Sequence, residues 1–141
     1  MSAAKKKLVS IVDDELDITV LFRDALKAIE GVSVFTFTEP FLAVKHFTIN
    51  RAAYVMIISD LRMPGLNGME LIKKVKALNP FVRTILMTAF AIRDNSFKEN
   101  AKKEIINGFL QKPIRLDDLC AEVNKQLQTY EDDVEVIHRA C

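Results

Sequence analysis

Five short apolar runs, separated by amphipathic segments, limit the folds open to this chain more than any other feature. The runs are rich in β-branched residues, which is typical of strands covered on both faces of a parallel sheet. Regular alternation of such strands with helices predicts an α/β fold with right-handed crossovers. Five strands fit a flavodoxin-like (βα)5 domain with a five-stranded parallel sheet in the order 2-1-3-4-5. We expect the strands at Leu8–Val12, Val32–Phe37, Tyr54–Ser59, Val82–Met87 and Ile106–Gln111.

Helical spacing of apolar residues fills the intervals between these strands. Thr38 is the expected cap of the second helix, whose buried stripe would carry Phe41, Val44 and Phe47. Asn67 and Glu70 have the spacing of a capping box and predict the start of the third helix. The expected first helix covers Leu16–Ile29, the fourth lies within Ala91–Glu104, and the last carries Leu116, Leu119, Cys120, Val123 and Leu127.

Composition excludes several classes of protein. Half of the 141 residues are hydrophobic and 28% are charged, as in a globular chain. Twenty Lys and Arg against 19 Asp and Glu argue against binding nucleic acid by bulk charge. Since no apolar run approaches 18 residues, we expect no membrane span. Two cysteines without metal-ligand spacing favour reduced thiols and a cytoplasmic location. We expect an N-terminal tail at 1–6, one domain at 7–130, and an extension or tail at 131–141.

The residues that close the strands carry the predicted chemistry. Asp13 and Asp14 end the first strand, Asp60 ends the third, Thr88 the fourth and Lys112 the fifth. In open parallel sheets, sites lie at the carboxyl ends of the strands where the strand order reverses. Three carboxylates there favour a hard cation, Mg²⁺ or Ca²⁺, and Lys112 supplies a second positive charge. The pattern indicates metal-dependent phosphoryl transfer to an aspartate.

Four motifs at these strand ends are similar to those of the receiver domain of a two-component response regulator. They are VDDE (12–15), SDLRMPGLNG (59–68), LMTA (86–89) and FLQKP (109–113). Each motif alone has low specificity, but all four in this order form a specific set. The resemblance covers residues 7–130.

The resemblance implies a role for each matching residue around the acceptor. Asp60 corresponds to the phospho-acceptor, and Asp13 and Asp14 correspond to the acidic pair that binds Mg²⁺ (or Mn²⁺) together with it. The backbone carbonyl of Arg62 corresponds to the remaining protein ligand. Arg62 and Phe90 also occupy the two positions that modulate dephosphorylation in this family.

The same resemblance assigns the groups that would respond to the phosphoryl group. Lys112, the Thr88 hydroxyl and the Ala89 backbone amide would contact its oxygens. Thr88 and Phe109 would act as the switch pair, and Pro113 matches a position where the peptide bond is commonly cis.

These roles imply a phosphorylation-activated switch. The donor would be a sensor histidine kinase or a phosphotransfer protein, and the output surface would be the face formed by helix four, strand five and helix five. Such a chain catalyses its own phosphorylation and dephosphorylation and is not a conventional enzyme. One alternative is a pseudo-receiver used only for protein interaction. Another is an aspartyl phosphatase, although Arg62 occupies the position where that class has a second Asp. The chain would be a stand-alone receiver or part of a longer regulator.

The apolar stripe of the last helix continues beyond the length that a receiver needs. Its residues recur at alternating spacings of three and four, as in a coiled-coil seam. We therefore expect residues 128–141 to extend the last helix and either pair with a second subunit or lead into an effector domain. Residues 134–136 are equally compatible with a short strand or a frayed tail. The stripe comprises Cys120, Val123, Leu127, Tyr130, Val134, Ile137 and Cys141.

Overall fold

The computed structural model describes residues 6–89, 98–99, 103 and 105–140. For residues 138–140 the description is limited to the backbone. Most of the predicted fourth helix, and Phe90 with it, lies outside the described residues. The predicted limits of the domain and its tails remain predictions.

The predicted sheet is confirmed. Its strands are parallel and lie in the order β2-β1-β3-β4-β5. Val12 of β1 is paired with Ser59 of β3, and Asp60 is paired with Met87 of β4, so the strands that carry the acidic residues end at one edge. The strands are β1 (Lys7–Val12), β2 (Val32–Phe37), β3 (Tyr54–Asp60), β4 (Arg83–Thr88) and β5 (Gly108–Gln111).

Helices cover both faces of the sheet, which explains why all of β3 is buried. They are α1 (Leu16–Leu26), α2 (Pro40–Asn50), α3 (Gly68–Leu78) and the C-terminal helix (Leu116–Ala140). Residues of β1 alternate between the two cores: Val9 and Ile11 pack with α1 and the C-terminal helix, whereas Val12 packs with α2 and α3. The near-continuous apolar runs in the sequence reflect this double cover.

The helix starts confirm one predicted cap and correct another. The Asn67 side chain accepts a hydrogen bond from the Glu70 N–H at 2.9 Å, as the capping-box spacing predicts. The prediction that Thr38 caps α2 is wrong, because Pro40 begins the helix after Glu39. This start turns Phe41 outward, where its side chain is 63% exposed. The buried residues of α2 are Pro40, Ala43 and Phe47.

The C-terminal helix runs without a break over 25 residues, about 37 Å. The alternative of a short strand at 134–136 is therefore wrong. Beyond Leu127 two ion pairs anchor the helix to the sheet: Glu131 pairs with Lys7, and Asp133 lies 3.5 Å from Arg83. None of the described helices combines the length and apolar character that crossing a membrane needs.

The later residues of the C-terminal stripe face this chain's own domain. Val134 and Ile137 line a groove of about 410 Å³ together with Leu78 and Phe81. Cys141 lies outside the described residues. A homodimer through this helix remains a prediction, and these contacts leave less of the stripe available for it.

Candidate functional site

The predicted site residues lie together at the carboxyl edge of the sheet. Asp13 follows β1, Asp60 is the last residue of β3, Thr88 is the last of β4, and Lys112 follows β5. The peptide bond between Lys112 and Pro113 is cis, as the sequence comparison implied. Four separate strands thus bring these groups to one place through the parallel register.

Lys112 bridges two of the aspartates. Its Nζ lies 3.0 Å from Oδ1 of Asp60 and 3.2 Å from Oδ2 of Asp13. The Asp13 side chain is fully buried, and its second oxygen accepts a hydrogen bond from the Glu15 N–H at 2.9 Å. The Asp60 side chain is 11% exposed, so this carboxylate is shielded but reachable from solvent.

Burial and charge act in opposite directions on these groups. Desolvation raises the pKa of Asp13, although the Glu15 amide and the Lys112 charge both act to lower it. Burial acts to lower the pKa of Lys112, but its hydrogen bond to Asp60 and the charges of Asp13 and Asp60 raise it overall. The raised pKa of Lys112 keeps its side chain as an ammonium. The raised pKa of Asp13 shows that its buried carboxylate would be stabilised by a further positive charge nearby.

The carboxylates form a cluster that fits a hard divalent cation. Oxygens of Asp13, Asp14 and Asp60 lie within 4.8 Å of one another, and Asp14 is exposed. One ammonium, from Lys112, lies among three carboxylates. Mg²⁺ usually takes one or two carboxylates and keeps several waters, so an acidic cluster open on one side suits it. This donor set contains no nitrogen or sulfur ligand of the kind softer metals prefer.

Two cavities border this cluster. A small one of about 110 Å³ lies above Asp60 and is lined also by Leu61, Arg62, Thr88, Ala89 and Lys112. A second cavity of about 400 Å³ is lined by Asp14, Arg62, Met63, Pro64 and Asn67. Arg62 lines both and is exposed. The Asp60 carboxylate thus borders a cavity that holds only a small group, and the larger cavity beside Asp14 is open to solvent.

Close backbone packing fixes the position of Asp60. A Cβ on Gly68 would lie 2.1 Å from the Asp60 carbonyl oxygen, so only glycine allows this approach. The Gly68 N–H donates to the Leu61 carbonyl at 2.9 Å, and the Leu61 N–H donates to the Met87 carbonyl at 2.9 Å. Gly68 belongs to the motif SDLRMPGLNG, but its structural role could not be predicted, because a close backbone approach leaves no periodic signal in a sequence.

Of the two predicted switch residues, Thr88 lines the small cavity, and Phe109 lies on β5 opposite Leu86. Thr88 is 1% exposed, and its carbonyl accepts hydrogen bonds from the Lys112 N–H at 2.8 Å and from Gln111 at 3.1 Å. Phe109 is half-buried and packs against the small cluster of Ile72, Leu86 and Ile106.

A buried polar group in the core beneath α2 and α3 was not predicted from the sequence. The Tyr54 hydroxyl is hydrogen-bonded to Ser10 and lies 2.6 Å from Nδ1 of His46. Tyr54 is fully buried, and desolvation raises its pKa to about 12. These residues connect β1 and β3 to α2 and lie outside the four motifs that mark the site.

The fold and the site together define a doubly wound α/β domain with a lysine-bridged acidic cluster at its topological switch point. The family model of the response regulator receiver domain matches residues 9–124. The chain therefore belongs to the response regulator receiver domain family.

Known proteins of this family resemble the chain over most of its length. It is 30% identical over 122 residues to the DNA-binding transcriptional regulator NtrC of Klebsiella pneumoniae, covering 86% of this chain but 25% of that protein. It is 29% identical over 119 residues to the sporulation initiation phosphotransferase F of Bacillus subtilis, covering 84% of this chain and 92% of that protein.

Solved structures show the same architecture. A response regulator receiver domain protein from Clostridium thermocellum superposes with a TM-score of 0.77 at 27% identity, covering 89% of this chain and 97% of that one. The chain thus matches 92% of the small Bacillus subtilis protein but only 25% of the larger NtrC regulator.

Proposed function

We propose that this receiver domain is a switch that accepts a phosphoryl group on Asp60 from a phosphohistidine of a sensor kinase or phosphotransfer protein. The observation that carries the proposal is the Lys112 ammonium, 3.0 Å from Asp60, at the edge of a small cavity above that carboxylate. The cytoplasmic location and the identity of the donor belong to the same proposal.

The residues divide the work of phosphoryl transfer. A carboxylate oxygen of Asp60 attacks the phosphorus, a P–O bond forms, and the P–N bond to the donor histidine breaks in line with it. Lys112 balances the charge on the phosphoryl oxygens. Asp13, Asp14 and the backbone carbonyl of Arg62 would hold Mg²⁺ (or Mn²⁺). When bound, the cation neutralises further negative charge on the transferred group.

The change of state would begin at Thr88. Its hydroxyl and the Ala89 amide would contact the new phosphoryl oxygens, and both residues line the small cavity. Movement of Thr88 would let Phe109 follow inward. The output surface then includes β5 and the C-terminal helix, and a downstream protein responds if it distinguishes the two arrangements.

This chain has an apolar surface beside the site that would receive a donor protein. A groove of about 420 Å³ extends from Lys112 to Ile18, Leu21 and Ile114. Leu21 is 48% exposed. This groove would receive the donor while its phosphohistidine reaches the cavity above Asp60.

Arg62 is proposed to lengthen the lifetime of the phosphorylated state. It lines both cavities and lies two residues after the acceptor, so its side chain can restrict the approach of water. Phe90, two residues after Thr88, would likewise restrict the approach of water to the phosphorylated aspartate. Rapid hydrolysis in excess Mg²⁺ would contradict this part.

The deciding experiment is phosphorylation by acetyl phosphate, followed by intact-mass spectrometry with and without Mg²⁺. The wild type should gain one phosphoryl group when Mg²⁺ is present, and Asp60→Asn should gain none. Asp117→Asn, which alters an exposed aspartate of the C-terminal helix, is the matched control and should be labelled like the wild type. An unlabelled wild type would support a pseudo-receiver, and sustained turnover of phosphodonor would support a phosphatase.

A further inference from the structure

The carbonyl group of Thr88 accepts two hydrogen bonds from β5 and the residue that follows it. The Lys112 backbone N–H donates to this carbonyl at 2.8 Å, and Nε2 of the Gln111 side chain donates to it at 3.1 Å. The first bond belongs to the backbone ladder between β4 and β5, in which Thr88 is paired with Gln111. The second bond comes from a side chain, so it depends on the residue type at position 111 and not on the fold alone.

These two bonds fix the direction of a whole peptide unit. The Thr88 carbonyl and the Ala89 N–H belong to one planar peptide group, and in a trans peptide they point in opposite directions. Since β4 lies between β3 and β5, a carbonyl that is held towards β5 turns the Ala89 N–H towards β3. Asp60 is the last residue of β3, and both Asp60 and Ala89 line the small cavity.

The preceding residue of β4 agrees with this direction. The Met87 carbonyl accepts a hydrogen bond from the Leu61 N–H at 2.9 Å, so Met87 faces the end of β3 whereas Thr88 faces β5. Backbone groups alternate between the two neighbours along a strand, and the Ala89 N–H is the next group on the β3 side.

We propose that Gln111 is a positioning residue for phosphoryl transfer, because its hold on the Thr88 carbonyl aims the Ala89 N–H at the oxygens of the group transferred to Asp60. This inference rests on the proposed function. A donor that is already oriented costs no reorganisation when charge develops on the transferred group. A hydrogen bond to the carbonyl also polarises the same peptide and strengthens its N–H as a donor. Gln111 is not among the residues that line the cavity, so it acts through the peptide.

The test measures labelling of Gln111→Met and the wild type by intact-mass spectrometry, over a series of acetyl phosphate concentrations with Mg²⁺ in excess. Met has nearly the length of Gln but no N–H, so the Thr88 carbonyl loses one donor. Because Gln111 is exposed and its bond partly solvated, the maximal labelling rate should fall by about three- to tenfold. The half-saturating acetyl phosphate concentration should stay unchanged, since the bond acts on the transfer step and not on uniform binding.

Two control variants separate positioning from a general disturbance of the domain. Gln128→Met alters an exposed glutamine of the C-terminal helix that donates to Asp132 at 3.0 Å, and it should be labelled like the wild type. Gln111→Arg keeps an N–H donor and should retain the wild-type maximal rate in about 0.5 M salt, which screens the added charge.

The Mg²⁺ response is a readout that positioning should not move. Gln111 lies outside the acidic cluster, so Mg²⁺ should raise the melting temperature of Gln111→Met as much as that of the wild type. A smaller rise in this variant, or a Gln111→Arg that is as slow as Gln111→Met, would show that position 111 affects the site by another route and would overturn the inference.

The outcomes distinguish this inference from the proposed function. If the wild type is labelled and Gln111→Met reaches the same maximal rate, Gln111 has no positioning role and the proposed function stands. If the wild type is not labelled at all, the proposed function fails and this inference fails with it.

Discussion

Replacing Gly68 by alanine should disturb both the stability and the chemistry of this domain. The new Cβ would lie 2.1 Å from the Asp60 carbonyl oxygen, whereas ordinary contacts begin near 3.4 Å. The start of α3 must therefore move by the difference, 1.3 Å. A shift of that size away from β3 stretches the hydrogen bond between Gly68 and Leu61, now 2.9 Å, beyond bonding range.

The free-energy cost follows from these two effects. Overpacking costs about 1–3 kcal/mol. A buried carbonyl that loses its partner costs about 1–3 kcal/mol. We expect urea denaturation to show that Gly68→Ala lowers the free energy of unfolding by about 2–6 kcal/mol. Because Gly68 packs against the Asp60 backbone and bonds to Leu61, its displacement should also disturb the position of Asp60 and slow labelling by acetyl phosphate by about tenfold to a hundredfold.

Gly31→Ala is the control for Gly68→Ala, because it introduces backbone strain without steric crowding. Gly31 has a φ of +77° and no atom within 4 Å of an added Cβ. Its replacement should cost about 1–2 kcal/mol through strain alone and leave the labelling rate unchanged. If Gly68→Ala were no more costly than Gly31→Ala and were labelled at the wild-type rate, the steric argument would fail.

Three further predictions address the metal, the core and the C-terminal helix. Mg²⁺ should raise the melting temperature of the wild type by mass action but not that of Asp14→Ala; an unchanged response in the variant would refute the metal assignment. Because the pKa of Tyr54 is raised from 10.0 to about 12, stability should be full below pH 10 and fall by about 3 kcal/mol by pH 12. Denaturation curves should show this loss in the wild type but not in Tyr54→Phe. Gln126→Leu should cost about 1–3 kcal/mol in denaturation, because the Gln126 side chain is buried and accepts from Arg83 at 2.9 Å; a neutral change would show that this bond contributes nothing.

The sheet could be predicted from the sequence because strands buried on both faces appear as short, nearly continuous apolar runs. Every residue of β3 is buried, so the run from Tyr54 to Asp60 is almost entirely apolar. Chain order and the right-handed crossover rule then limit the strand order. Both ends of β2 are as predicted, and the other strand ends differ from the observed ones by at most two residues, since side-chain pattern says little about where pairing stops.

The convergence of the site residues could be predicted because each follows a predicted parallel strand. The contacts between their side chains could not be predicted. The positions of Asp13, Asp60 and Lys112 after parallel strands place them at one edge. That Lys112 contacts both carboxylates depends on side-chain geometry across 99 residues of sequence. The error at Thr38 has a local cause, since Pro40 is favoured in the first turn and determines where α2 begins.

The two ion pairs of the C-terminal helix have a mechanical consequence. Glu131 and Asp133 lie two residues apart, roughly 200° around the helix, so Lys7 and Arg83 hold it from opposite sides. Lys7 begins β1 and Arg83 begins β4, the strands that lead to Asp13 and Thr88. A sideways shift between these strands acts on the helix as a couple and rolls it about its own axis. Across a helix about 10 Å wide, a relative shift of about 1 Å corresponds to a roll of about 6°. The domain would then transmit torque along this helix, and the angle of its side chains relative to the sheet is the quantity that would report it.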